Sequence, residues 1–196
     1  MVRRSHLHEL ATIAAASLVA PLLAATPAFA HPGHSSGLGA GLLHPVTGVD
    51  HLLAMLAVGV VTVASVGRRA WLAPAAFLGG MVLGGLAGMA GVPMPGAELL
   101  VVASVVVLGL VIAGAVEGQG RLLISGLVLA GLAHGHAHGV EVPTSAHPLG
   151  FAAGFLAATA VLHATGAGIG VLVRDRRVVR LGLGTAMVAT GALLVL

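Results

Sequence analysis

Leu42-Leu43-His44-Pro45-Val46-Thr47-Gly48-Val49-Asp50-His51-Leu52-Leu53-Ala54-Met55-Leu56-Ala57-Val58-Gly59 opens an apolar run that continues to Val66 and stops at the basic pair Arg68-Arg69. Its length fits the ~20 residues a helix needs to cross the hydrocarbon core of a bilayer. Two histidines and an aspartate sit inside it nonetheless. Ionisable groups are expensive in lipid, so such a residue within a span is by default a functional one. The run therefore raises two questions at once: whether the whole chain lives in lipid, and what its buried ionisable groups do.

Composition answers the first. Charged residues make up 8% of the chain, apolar residues 58%, and mean hydropathy is +1.07; a soluble domain carries roughly a quarter charged residues. A water-soluble fold of 196 residues has too little interior to hide that much apolar surface. Lipid must be the solvent. The pI near 11.5 reflects nine arginines and no lysine, while net charge is only +3. The arginines sit in connections rather than along one face, which excludes nucleic-acid binding. There is no cysteine, so a metal could be held only by imidazole, carboxylate, thioether or backbone groups. Eleven histidines against six acids is the imbalance that needs a cause.

Residues 1–30 read as a cleaved signal peptide: Arg3 and Arg4 form the n-region, Leu10 to Ala25 the apolar core, and Ala28-Phe29-Ala30 an A-x-A cleavage site. An uncleaved first span would leave residue 31 on the same side. Residues 31–196 form a single membrane domain with spans expected at about 42–66, 71–90, 97–116, 122–138, 147–173 and 178–196. Glycines 79, 80, 84, 85 and 88 give the second span a face suited to close helix contact. Arg68, Arg69, Arg121, Arg174, Arg176, Arg177 and Arg180 all fall in or beside the first, third and fifth connections. A cytoplasmic excess of Lys and Arg is the usual orientation signal. The expected fold is thus an all-α, polytopic membrane helical bundle of about six transmembrane helices, with the mature N-terminus and the C-terminus on the outer side. The His44-Pro45 and His147-Pro148 pairs hint at an internal repeat, with little else matching.

Three groups of residues carry the candidate chemistry. His44 and His51 are seven residues apart, about 10 Å along a helix, too far to share an ion unless Pro45 and Gly48 break it. Asp50 lies beside them. Met55, four residues after His51, is either a soft ligand or a packing residue. The second group is His134-Gly135-His136-Ala137-His138-Gly139-Val140-Glu141. Alternating histidines share a face only on an extended chain, and the two glycines point to an unwound stretch lining a polar cavity. Glu141 supplies negative charge for a dication. The third is His163, deep in the fifth span, which is either a ligand or a histidine bonded to Thr159 or Thr165. His147 is a vestibule residue or a helix start. His31 and His34 would open the mature chain and could chelate an ion there. Imidazole and carboxylate ligands suit nickel, cobalt, zinc, copper or iron better than magnesium or calcium.

The run His44-Pro-Val-Thr-Gly-Val-Asp50-His51 with Met55 and Gly59 resembles the HPxxGxDHxxxMxxVG motif of the HupE/UreJ family, bacterial nickel/cobalt permeases associated with hydrogenase and urease maturation. His134-Gly-His136-Ala-His138-Gly-Val-Glu141 is similar to that family's second histidine motif. The separate NiCoT permeases use HxxxxDH, whereas five residues separate His44 from Asp50 here. The resemblance implies metal handling by His44, Asp50, His51, His134, His136, His138 and Glu141; His163, His31 and His34 are added from their positions. It implies a non-enzymatic nickel or cobalt permease with no prosthetic group and does not separate the two ions; Ni2+ is taken as the first expectation and Co2+ as the next. The partners expected are the ion and the bilayer, with a homo-oligomer or an accessory metallochaperone left open. An intramembrane zinc hydrolase and a membrane metal sensor are the competing readings; buried His and Asp can also activate water, and a sensor would bind without flux.

Overall fold

The computed structural model describes residues 37–65, 69–114, 120–142 and 147–195, all within one compact unit. The expected signal peptide, His31 and His34 lie outside the described residues. What is described is helical: α1 (Gly37–Leu43), a 3-10 turn (His44–Val46), α2 (Val49–Ser65), α3 (Leu72–Met89), α4 (Ala97–Ala113), α5 (Gly120–Val140), α6 (Pro148–Val173) and α7 (Arg177–Leu193). Each expected apolar stretch carries one helix, except the first, which is split.

The split falls at Pro45 and Gly48. Pro45 stands at the start of the 3-10 turn, where its missing N–H costs nothing. Thr47 donates its hydroxyl and its N–H to His44 O, at 2.7 and 3.1 Å, and α2 restarts with Leu52 N–H on Gly48 O. The axis turns by 81° between Gly37–Val46 and Val49–Val63. By length and composition α3 and α6 can cross a membrane, and the bent pair makes a third candidate if it is one span. α4 and α7 are 17 residues each. Leu83, Leu86, Leu99, Leu129, Leu149 and Leu172 are exposed, so the outside of the bundle presents large apolar side chains. A bundle of such helices has lipid as its solvent.

α5 departs from expectation. It does not unwind at its histidines but runs as regular helix to Val140. The glycines that suggested unwinding are contact points instead. A Cβ on Gly131, Gly135 or Gly139 would strike Phe77 O, Met81 O or Gly85 O of α3, and one on Gly80, Gly84 or Gly88 would strike Val128 O, Leu132 O or His136 O of α5. Each glycine costs about 1 kcal/mol of helix propensity, offset by backbones that approach as closely as small residues allow. Helix also keeps every backbone polar group bonded where no water can do so.

These contacts fix direction. Gly80, Gly84 and Gly88 meet successively later residues of α5, so α3 and α5 run parallel. Gly59 faces His163 and Gly166, and Gly170 faces Val60 and Val63, so α2 and α6 also run parallel. Gly184 meets Gly109 and Ala113 whereas Gly191 meets Val102 and Val106, so α4 and α7 are antiparallel. The start of α2 and the end of α5 share one end of the bundle, where the rings of His51 and His138 meet. Gly84→Val should destabilise detergent-solubilised protein by about 1–3 kcal/mol or more, because the added atoms meet backbone. Gly79→Ala, with nothing within 4 Å, should be neutral or stabilising. Thermal unfolding of the two variants checks this, and equal losses would contradict the α3–α5 packing.

Candidate metal centre

The bend at Pro45 and the straight end of α5 bring the two sequence motifs together. On a helix, residues four apart share a face, so His134 and His138 both point toward α2. Both are buried. His51, near the start of α2, sets its ring 4.9 Å from that of His134 and 4.2 Å from that of His138. One ligand atom from each of the three lies within 4.8 Å of the others. A second set, His44, His138 and Glu141, meets the same criterion.

Hydrogen bonds identify the nitrogens that remain free. His51 Nδ1–H donates to Asp50 Oδ1 at 2.6 Å, since a carboxylate can only accept. The same oxygen takes the His51 backbone N–H at 2.8 Å. Ser104 gives its one hydroxyl proton to Val101 O at 2.6 Å, so His134 Nε2–H must be the donor in the 3.0 Å bond to Ser104 Oγ. What is left over is His51 Nε2, His134 Nδ1 and His138 Nε2, each buried without a hydrogen-bond partner among the described residues. A lone pair withheld from water and from other donors is what a divalent transition metal takes up. Asp50 stands behind His51 and belongs to neither ligand set; it fixes the ring and its tautomer, as a carboxylate behind a metal-bound imidazole does.

The outer set lies at the mouth. His44 Nε2 is 2.8 Å from His138 Nδ1 and 3.1 Å from Glu141 Oε2, and His138 Nδ1 is 3.6 Å from the same oxygen. Glu141 follows the last turn of α5; the His138 imidazole and the His44 imidazole beside it hold its carboxyl well below the usual carboxylate range, so it is ionised at neutral pH.

His136 is not part of the centre. Two residues from each neighbour on a helix, it faces elsewhere, and its Nε2–H donates to Val92 O at 2.7 Å, tying α5 to the α3–α4 turn. The expected extended chain would have set it on one face with His134 and His138, and the helix does not. His163 is buried but stands apart: its Nδ1–H donates to Thr159 O at 3.2 Å and its Nε2 has no partner. His147 caps α6, accepting Gly150 N–H, and Met55 is fully buried against Thr159.

Sequence reasoning missed the walls. Phe77 lies 5.3 Å from His134 and 5.4 Å from His163, Phe155 lies 4.3 Å from His138, and Phe151 lies 5.3 Å from His44. The chain has only four phenylalanines, and three of them touch these histidines. That scarcity was the available signal. Nothing in the sequence singled out Ser104.

Residues 18–194 match the family described as HupE / UreJ protein. The chain belongs to the HupE/UreJ family. It is 40% identical over 166 residues to Protein HupE of Rhizobium leguminosarum bv. viciae, covering 84% of this chain and 85% of that one. No solved structure matches. Its apolar helices and its family are those of a membrane protein. His51→Ala or His134→Ala should weaken Ni2+ binding by about tenfold or more in titration calorimetry, given that even supporting residues are worth 10–100-fold. His136→Ala should stay within about twofold of wild type, and an equal loss there would contradict the helical register of α5.

Proposed function

We propose that this protein is a permease that carries a divalent transition metal, nickel first and cobalt next, inward across the bacterial inner membrane for metalloenzyme maturation such as that of hydrogenase or urease. The observation that carries the reading is the convergence of three buried imidazole nitrogens without partners, from two helices, at one end of the bundle. Family membership and the resemblance of both histidine motifs support the choice of ion. Three neutral imidazoles suit a borderline ion, and they bind without the charge that would make release slow.

The six-span arrangement is part of the proposal. Parallel α2 and α6, parallel α3 and α5, and antiparallel α4 and α7 are the relations that six alternating crossings require. They set Arg69, Arg121, Arg174, Arg176 and Arg177 at the opposite end from the histidines. By the positive-inside tendency, the histidine end is periplasmic, as are both mature termini. His31 and His34 would then collect the ion after signal cleavage. Glu141 and His44 receive it at the mouth, and His51, held by Asp50, binds it with His134 and His138. His163 takes it next. Gly59 faces the His163 carbonyl, and His51 precedes Gly59 by eight residues, so that backbone lies about 12 Å deeper along α2. Phe77 touches the imidazoles on both sides of that interval.

Ni2+ uptake into proteoliposomes tests the reading. Asp50→Asn and His51→Ala should each lower the initial rate by about tenfold or more with insertion intact. His163→Ala should lower uptake while leaving binding affinity within about twofold. Wild-type flux no greater than that of empty liposomes would defeat the permease reading, and full uptake by His163→Ala would remove His163 from the path.

A further inference from the structure

His138 belongs to both ligand sets, and through different atoms. Its Nδ1 faces His44 Nε2 at 2.8 Å and Glu141 Oε2 at 3.6 Å, whereas its Nε2 is buried without a partner on the side of His51 and His134. A neutral imidazole has one N–H and one lone pair. With the proton on Nε2, the lone pair on Nδ1 completes the outer set with His44 and Glu141. With the proton on Nδ1, the lone pair on Nε2 completes the inner set with His51 and His134.

Neither neighbour has this choice. Asp50 fixes the proton of His51 on Nδ1, and Ser104 fixes that of His134 on Nε2. His138 alone has two receptive sides. His44 Nε2 can donate to it or accept from it, and the Glu141 carboxylate faces the Nδ1–H that is present after the ion has left.

We infer that the two sets are alternative stations for a single ion, exchanged through the two nitrogens of His138. This deepens the permease reading and rests on it. In the exchange the bond from metal to Nδ1 breaks and the bond from metal to Nε2 forms. The ring proton leaves Nε2 and ends on Nδ1, carried by a water molecule, so the protein gains and loses no proton. Because one lone pair cannot serve two ions, the stations exclude each other: an ion at the mouth cannot enter the inner station until the ring releases it, and a second cannot load behind it. The order also follows the charge. The ion meets the Glu141 carboxylate first, then passes to three neutral ligands.

Equilibrium dialysis with Ni2+ on the full-length, detergent-solubilised protein, purified without a histidine tag and carrying His31→Ala and His34→Ala, reads the stoichiometry. One ion per chain is expected for this parent, for His51→Ala and for His44→Ala, the last two with weakened affinity. Two ions per chain in the parent, and still two once His163→Ala is added, would overturn the exclusion, since both stations would then fill together. Loss of all binding in both single variants would overturn it too, by showing one composite site. His138→Ala should bind no ion at concentrations that saturate the parent, and retained binding there would remove the shared ring. Should His138→Ala fail to give a monodisperse peak, the parent and the two other variants decide. Liposome flux separates the two readings: uptake with two ions per chain removes the exclusion alone, whereas one ion per chain without uptake removes the permease reading.

Discussion

A buried polar atom without a hydrogen-bond partner costs about 1–3 kcal/mol, and this protein keeps three of them face to face. His51 Nε2, His134 Nδ1 and His138 Nε2 are buried, with no hydrogen-bond partner among the described residues. Their other ring nitrogens are satisfied by Asp50, Ser104 and the His44–Glu141 pair. The arrangement is therefore directed: one nitrogen on each ring is used to hold the ring, and the other is kept free. Phe77 and Phe155 close the sides, so the free nitrogens gain nothing from water until an ion brings its own shell.

Close helix packing makes that arrangement affordable. Glycines 80, 84 and 88 on α3 and 131, 135 and 139 on α5 bring two backbones together without intervening side chains. This locks the register of α5 and hence the direction in which His134 and His138 point. The bend at Pro45 does the complementary task. It turns the chain by 81°, which lets His44 reach the end of α5 while His51 lies a turn inside. Lipid sets both constraints, because only helices with satisfied backbones persist there and ionisable groups must face one another.

Much of this was legible in the sequence. The apolar composition, the places of the helices and the break between His44 and His51 follow from residue type and spacing alone. The shape of α5 did not. Gly135 and Gly139 read locally as helix breakers, yet their role depends on the neighbour that packs against them, which only the assembled bundle reveals. The same expectation set His136 on one face with His134 and His138, since alternate residues share a face on a strand and not on a helix. Asp50 was expected as a ligand and instead accepts the Nδ1–H of His51; a carboxylate next to a histidine in sequence does not declare whether it binds a metal or aims the imidazole. Ser104 and the three phenylalanines come from helices far away in the chain, where no motif marks them.

X-ray absorption spectroscopy of the Ni2+-loaded protein in detergent tests the central claim most directly. The account predicts two to three imidazole nitrogens at about 2.1 Å, in the range for imidazole bound to a first-row dication, with outer-shell scattering from the rings and the remaining positions filled by oxygen. A hydrated shell of oxygen alone, with no imidazole scattering, would contradict it.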